Sequence, residues 1–170
     1  MRIRLLRFNT YLFLVMAMAL VAGCQSGGKK KSGKKAEASL RLHMQVNRDG
    51  TQDNAPVIIG RERPIELNVD KSAFLTEFNI ERAALVDRDG GFAISVQFNK
   101  QGGWLLEQYT TANKGRRMAI AAEFGEMRWI AAPVITQRLA EGLLVFAPDT
   151  TREEAERIVN GLNRVAKRIQ

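Results

Sequence analysis

GFAISVQFNKQGGWLLEQYTTANKG, residues 91–115, changes its apolar period once, near its middle. Phe92, Ile94, Val96 and Phe98 take every second position, the spacing of a strand that buries one face. From Gly102 to Asn113 the spacing is helical. Leu105, Gln108, Tyr109 and Ala112 form one stripe, Trp104 and Leu106 flank it, and Gly115 stands where a C-cap ends a helix.

Strands dominate outward from this switch. Before it, Asp87–Gly91 is a tight turn whose paired glycines supply positive φ. Residues 74–84 read as a short helical turn feeding a strand near Leu85. Pro56–Gly60 and Ile65–Val69 are two short strands broken by Arg61–Pro64. Ala38–Asn47 alternates strictly, with Leu40, Leu42, Met44 and Val46 on the buried face and Arg41, His43, Gln45 and Asn47 on the solvent face. After the switch, Arg117–Glu123 and Glu126–Ile130 form a hairpin about Gly125, and Pro133–Thr136 and Gly142–Phe146 are extended. Thr150-Thr-Arg-Glu153 reads as a capping box. It opens a helix whose stripe is Ala155, Ile158, Val159, Leu162, Val165, Ala166 and Ile169. Several antiparallel strands with two amphipathic helices predict one α+β domain over residues 38–170, an antiparallel sheet with both helices packed on one face.

The first 37 residues read differently. Arg2, Arg4 and Arg7 precede an apolar run, Tyr11–Ala22, which ends at Ala22-Gly23-Cys24. A basic start, a short apolar core and a small-residue cleavage site are the parts of a secretory signal. The run is shorter than the roughly 20 residues a spanning helix needs. Leu20-Val-Ala-Gly-Cys24 resembles the bacterial lipobox, which implies cleavage after residue 23 and lipid attachment at Cys24. Two or three acyl chains, at about 0.8 kcal/mol per buried CH₂, hold a protein stably on a bilayer. Gln25, rather than Asp, leans towards the outer membrane over the inner one. Residues 24–37 then form a tether, SGGKKKSGKKA at its centre, with an r.m.s. span of about 20 Å. It reads as a solvated spacer, with lysines able to rest on anionic headgroups. The expected partner of the N-terminus is the lipid bilayer, with the domain facing the periplasm or cell exterior.

The net charge of +8 comes almost wholly from this N-terminal part, since basic and acidic residues nearly balance from Ala38 onward. A nucleic-acid domain carries its basic excess on its folded surface, so nucleic acid is excluded as a partner. Cys24 is the single cysteine, and no internal disulfide can form.

No catalytic constellation appears. His43 is the lone histidine and sits on the solvent face of its strand, without a second His or a Cys to join it. Asp49 and Asp53 lack the spacing of a calcium loop. Gly102-Gly103 fits neither a P-loop nor a dinucleotide motif, and no G-x-S-x-G occurs. The expectation is a non-enzymatic protein with no cofactor and no metal. Trp104, Tyr109 and Trp129 are the candidate aromatic anchors, although large aromatics more often pack in a core.

The order of motifs from about Phe74 to Ala166 resembles the head of the first periplasmic domain of SecD, an accessory subunit of the bacterial protein-export machine. The resemblance rests on Leu75-Thr76 with Ile80 and Ala83, Thr110-Thr-Ala-Asn113-Lys-Gly115, Ala119-Ile120, Ala132-Pro133-Val134-Ile135, Leu139-Ala-Glu-Gly142, and Phe146 leading to Thr151-Arg-Glu153-Glu154-Ala155. Glu123-Phe-Gly125 replaces that family's LDG turn. The resemblance implies the fold and the binding of an extended, envelope or exported, polypeptide. Without SecD's transmembrane helices it does not imply translocase activity. The expected function is a membrane-anchored scaffold with a binding groove at Ala132, Pro133, Val134 and Ile135; the alternative is a structural spacer lipoprotein without a specific ligand.

Overall fold

The structure, a computed structural model, describes residues 38–61 and 63–169. The signal segment, Cys24 and the tether lie outside the described residues. Among the described residues, no helix is long and apolar enough to cross a membrane.

The fold is α+β, with antiparallel strands β1 (Ser39–Met44), β2 (Asn54–Ile59), β3 (Ile65–Asp70), β4 (Ile80–Arg88), β5 (Gly91–Phe98), β6 (Met118–Glu123), β7 (Met127–Ala131) and β8 (Leu143–Phe146). Helix α1 is Lys100–Ala112 and helix α2 is Arg152–Ile169. Both pack on one face of the antiparallel sheet, whose hydrogen bonds divide into three ladders, β1-β6-β7, β2-β3 and β4-β5-β8. Residues 74–84 resolve as a 3-10 turn, Glu77–Asn79, leading directly into β4. The β4–β5 hairpin turns through Gly90 at φ +83°, a conformation glycine adopts without steric cost.

The alternation of β1 builds the main core: Leu40, Leu42 and Met44 pack with Ile94, Val96, Leu106, Ile158 and Leu162. Fully burying one such side chain contributes roughly 1.5–3 kcal/mol. On its opposite face Arg41 and Asn47 are exposed as the alternation predicts, but His43 is not. The β2–β3 hairpin folds over it and makes a second apolar cluster with Ile59, Leu67, Val69 and Ala119, flanked by Trp129 and Ala132. His43 is therefore buried. Its Nδ1 lies 2.9 Å from the Asp70 carbonyl oxygen, and its ring meets Trp129 edge-on at 5.1 Å. A carbonyl only accepts, so the proton sits on Nδ1. Strand β6 lies between β1 and β7 with both faces covered, in keeping with the small side chains of Ala119, Ala121 and Ala122.

Helix α1 is rotated by about one residue from the predicted stripe. Gly102, Leu106 and Thr110 face inward, while Trp104 is 77% exposed. The glycine is required, since a Cβ on Gly102 would lie 2.8 Å from the Asn79 Cβ. Asn99 caps the helix, accepting from the Gly102 amide at 2.8 Å. The capping box of α2 is displaced by one residue as well. Thr151 Oγ1 accepts from the Glu154 amide at 3.2 Å, and Glu154 accepts from the Thr151 amide at 3.0 Å. Glu154 also accepts from Arg61 at 3.1 Å and from Arg128 at 3.2 Å. One half-buried carboxylate thus caps α2 and ties the hairpin and β7 to its first turn.

Candidate binding cleft

Antiparallel pairing turns the amides of alternate residues outward from a ladder, and this rule locates the free edges. In β4-β5-β8, the Phe98 amide donates to the Gly142 carbonyl at 2.9 Å. The register continues Gln97↔Leu143, Val96↔Leu144, Ser95↔Val145. Leu144 therefore bonds β5, while the amides and carbonyls of Leu143 and Val145 point away from it. At the far side, Ala83 points outward from β4 by the same alternation. There Asn163 of α2 meets it twice: the Ala83 amide donates to Oδ1 and Nδ2 donates to the Ala83 carbonyl, each at 2.8 Å. At this position the Asn163 side chain stands in for a neighbouring strand.

A second outward edge comes from the segment after β7. Met118 donates to the Pro133 carbonyl at 3.0 Å, and Ile135 donates to Arg116 at 2.9 Å. Val134, opposite Arg117, consequently turns its own amide and carbonyl away from β6. Arg117 Nη1 fixes the start of this segment by donating to the Ala132 carbonyl at 2.7 Å. Ile135 is 5% exposed and anchors the segment in the main core, whereas Val134 is 42% exposed.

The two edges border one cleft of about 590 Å³, lined by Pro133, Val134 and Ile135 on one wall and Leu143, Leu144 and Val145 on the other. Its floor is held by Thr110, whose Oγ1 donates to Leu106 at 2.7 Å and accepts from the Leu139 amide at 3.1 Å. The turn entering β8 is fixed by Gln97, which donates to the Gly142 carbonyl at 3.2 Å. It also packs against α1 through Gly103 and Gly142, where a Cβ on Gly142 would stand 3.0 Å from the Gly103 Cα. Arg88, Arg138 and Glu141 supply charge at the rim, with Arg138 paired to Glu107 of α1. The cleft mixes polar and apolar surface in nearly equal parts, carries charge at its mouth, and is bordered by outward strand edges.

The predicted site residues divide accordingly. Pro133, Val134 and Ile135 line the cleft; Ala132 packs beneath it in the hairpin cluster. Trp104 borders a neighbouring hollow with Gln108 and Thr111, and Arg138 belongs to both. Tyr109 stacks on Phe74, ring centres 4.3 Å apart, at the margin of the main core. Trp129 is half-buried beside His43 and outside the cleft. Cys24 lies outside the described residues. The wall formed by β8 and the closure by Asn163 were missed from sequence; Gly142-Leu-Leu-Val-Phe146 signals a strand but not its position at an edge. Among the described residues no group of three or more metal-ligating side chains occurs.

No curated protein matches the chain. Among solved structures, it resembles a membrane component SecDF that enhances protein export, with TM-score 0.55 and 21% identity over 76% of this chain and 63% of that one. It also resembles SecDF in a super-membrane-facing form, with TM-score 0.54 and 22% identity, covering 76% of this chain and 19% of that one. At these identities the likeness is one of fold, and the chain spans less than two thirds of either relative. The family model of the SecDF P1 head subdomain matches residues 50–166. That span takes in the β2–β3 hairpin, ahead of the motifs that begin near Phe74. The chain belongs to the SecDF P1 head family.

Proposed function

We propose that this protein is a lipid-anchored, periplasm-facing scaffold that holds an extended stretch of exported polypeptide in the cleft between β8 and Val134. One observation carries the reading: two outward strand edges border the same cleft, while on the opposite edge, β4, the Ala83 amide and carbonyl are taken by Asn163. An extended chain laid there finds backbone partners on both sides, the mode of strand addition, in which main-chain bonds give affinity without demanding one sequence. Val134, Leu143 and Val145 offer apolar contacts to the side chains of an extended segment, and the polar part of the lining faces its main chain. Kinship with the SecDF head supports the link to export, and lipidation at Cys24 would hold the domain to the bilayer by a tether with an r.m.s. span of about 20 Å.

A photo-crosslinker at Val134 tests the cleft in cells secreting one defined substrate. The substrate is captured while unfolded, and Val145→Pro, which removes an outward amide, abolishes capture. Capture that is indifferent to Val145→Pro sinks strand addition. Mass spectrometry of the mature N-terminus tests the anchor independently: an acylated Cys24 is expected, and a free thiol or a retained residue 23 refutes it.

A further inference from the structure

Helix α1 carries a second stripe, turned away from the core. Trp104, Glu107, Gln108 and Thr111 recur at the three- and four-residue spacing of one helix face, while Gly102, Leu106 and Thr110 are the residues it buries. Trp104 is 77% exposed, so its indole does not hold the helix in place. With Arg138, the stripe lines a hollow of about 690 Å³.

The polar groups of this hollow are largely matched to one another. Thr111 Oγ1 donates to the Glu107 carbonyl at 2.7 Å, and the Glu107 carboxylate pairs with Arg138. Acid and base neutralise each other there, and the lining is mainly apolar, whereas the cleft is mixed. An indole beside a neutralised pair offers a large contact to an uncharged side chain and no counter-ion to a charged one.

The hollow and the cleft share a wall. Arg138 lines both, and the adjacent residues Thr110 and Thr111 face the cleft and the hollow respectively. Thr110 and Trp104 are about 9 Å apart along the helix axis, at ~1.5 Å per residue. An extended chain leaving the cleft covers that distance in about three residues, at ~3.3 Å each.

We propose that the hollow is a side-chain subsite of the cleft, in which Trp104 packs against a large uncharged side chain of the same extended polypeptide, about three residues beyond the strand-paired segment. The inference rests on the cleft reading above and adds a specificity to it. Strand addition takes its affinity from main-chain bonds. Trp104 selects, among the chains that can pair, those with an aliphatic or aromatic residue at this spacing.

The test titrates full-length protein with fluorescein-labelled peptides that share an alternating valine–threonine segment. They differ at one position, occupied by leucine, serine, glutamate or lysine, three residues before that segment in one series and three residues after it in another. Fluorescence anisotropy should show leucine binding about tenfold tighter than serine in one series, the scale of a single aromatic anchor, with glutamate and lysine no tighter than serine. Trp104→Ala should bring leucine down to serine, and Trp104→Phe should keep most of the preference. Arg138→Ala, which leaves the Glu107 carboxylate unmatched, should raise lysine relative to leucine. A wild-type protein that does not favour leucine in either series, or a preference that survives Trp104→Ala, overturns the subsite and leaves the cleft standing. Failure of the cleft reads out separately, as peptides that do not bind at all or that bind Val145→Pro as tightly as wild type, and it removes the subsite as well. A dimer that Trp104→Ala dissociates in sedimentation assigns the hollow to a second copy of the chain and likewise overturns the proposal.

Discussion

β4 and β8 lie on either side of β5, and they differ in what meets their outer edge. At β4, the outward amide and carbonyl of Ala83 are both taken by Asn163 at 2.8 Å. At β8, the corresponding groups of Leu143 and Val145 open onto a cleft. An open edge is a hazard, because it templates pairing with any passing strand. One edge meets a side chain of a core helix at Ala83, and the other lies beside a cleft. The lesson is that a small sheet can be made selective by what caps it rather than by its strands.

Breaking the closed edge gives the largest effect. Asn163→Leu leaves the Ala83 amide and carbonyl unpaired in a half-buried site, and should cost about 3 kcal/mol in denaturant unfolding. Its product should also self-associate through β4, detectable by sedimentation; an unaltered, monomeric variant would erase the distinction between the edges. Breaking the open edge acts on binding instead. Val145→Pro should reduce affinity for an extended apolar peptide at least about tenfold while costing less than ~1 kcal/mol of stability, since an outward amide of an edge strand bonds nothing within the fold.

The hairpin-covered face of β1 offers a pH test. Burial lowers the His43 pKa, with Arg41 adding to the effect, against the opposing pull of the Asp70 carbonyl and carboxylate. The unfolded chain therefore binds the proton more readily than the folded one. Stability from this site is complete above the ordinary value of 6.5, is lost as pH falls towards the lowered folded value, and levels off below it. His43→Phe should flatten that part of the stability–pH curve, and an unchanged slope would show that His43 does not titrate within the hairpin cluster supporting Ala132. The smallest effect sharpens the cap of the helix that carries Asn163. Thr151→Ala should cost about 1 kcal/mol, whereas Thr150→Val should be nearly neutral, because Thr150 Oγ1 is buried without a hydrogen-bond partner; equal losses would contradict the assigned cap.

Where one signal dominated, the sequence was sufficient. Period-two alternation located β1 and β5, paired glycines the β4–β5 turn, and the long stripe α2. Errors arose where two readings were locally equivalent. Thr150-Thr151 followed by Glu153-Glu154 satisfies the capping spacing twice, and only the packing of α2 selects Thr151. In α1, the buried stripe consists of Gly102, Leu106 and Thr110, two of which do not register as apolar, so the stripe was drawn through Leu105 and Tyr109 instead. His43 sat correctly on the second face of β1, but a single strand does not reveal that a hairpin from residues 54–70 covers that face. The cleft was half legible: Ala132–Ile135 stood out by motif, while its other wall depends on the register of β8 against β5, a relation between distant segments that local pattern does not carry.

Ala38 seats on Gly161 of α2, where a Cβ would lie 2.5 Å from the Ala38 Cβ, and this seat bears on timing. The hairpins β2–β3, β4–β5 and β6–β7 join neighbours in the chain and can close as they emerge. β1 finds its partner only at β6, with Leu40 opposite Ala122, and Ala38 only when residue 161 is available. Contacts of such separation form late and slowly. A chain built this way keeps its first strand open until almost its whole length is available, and the last helix to arrive completes it.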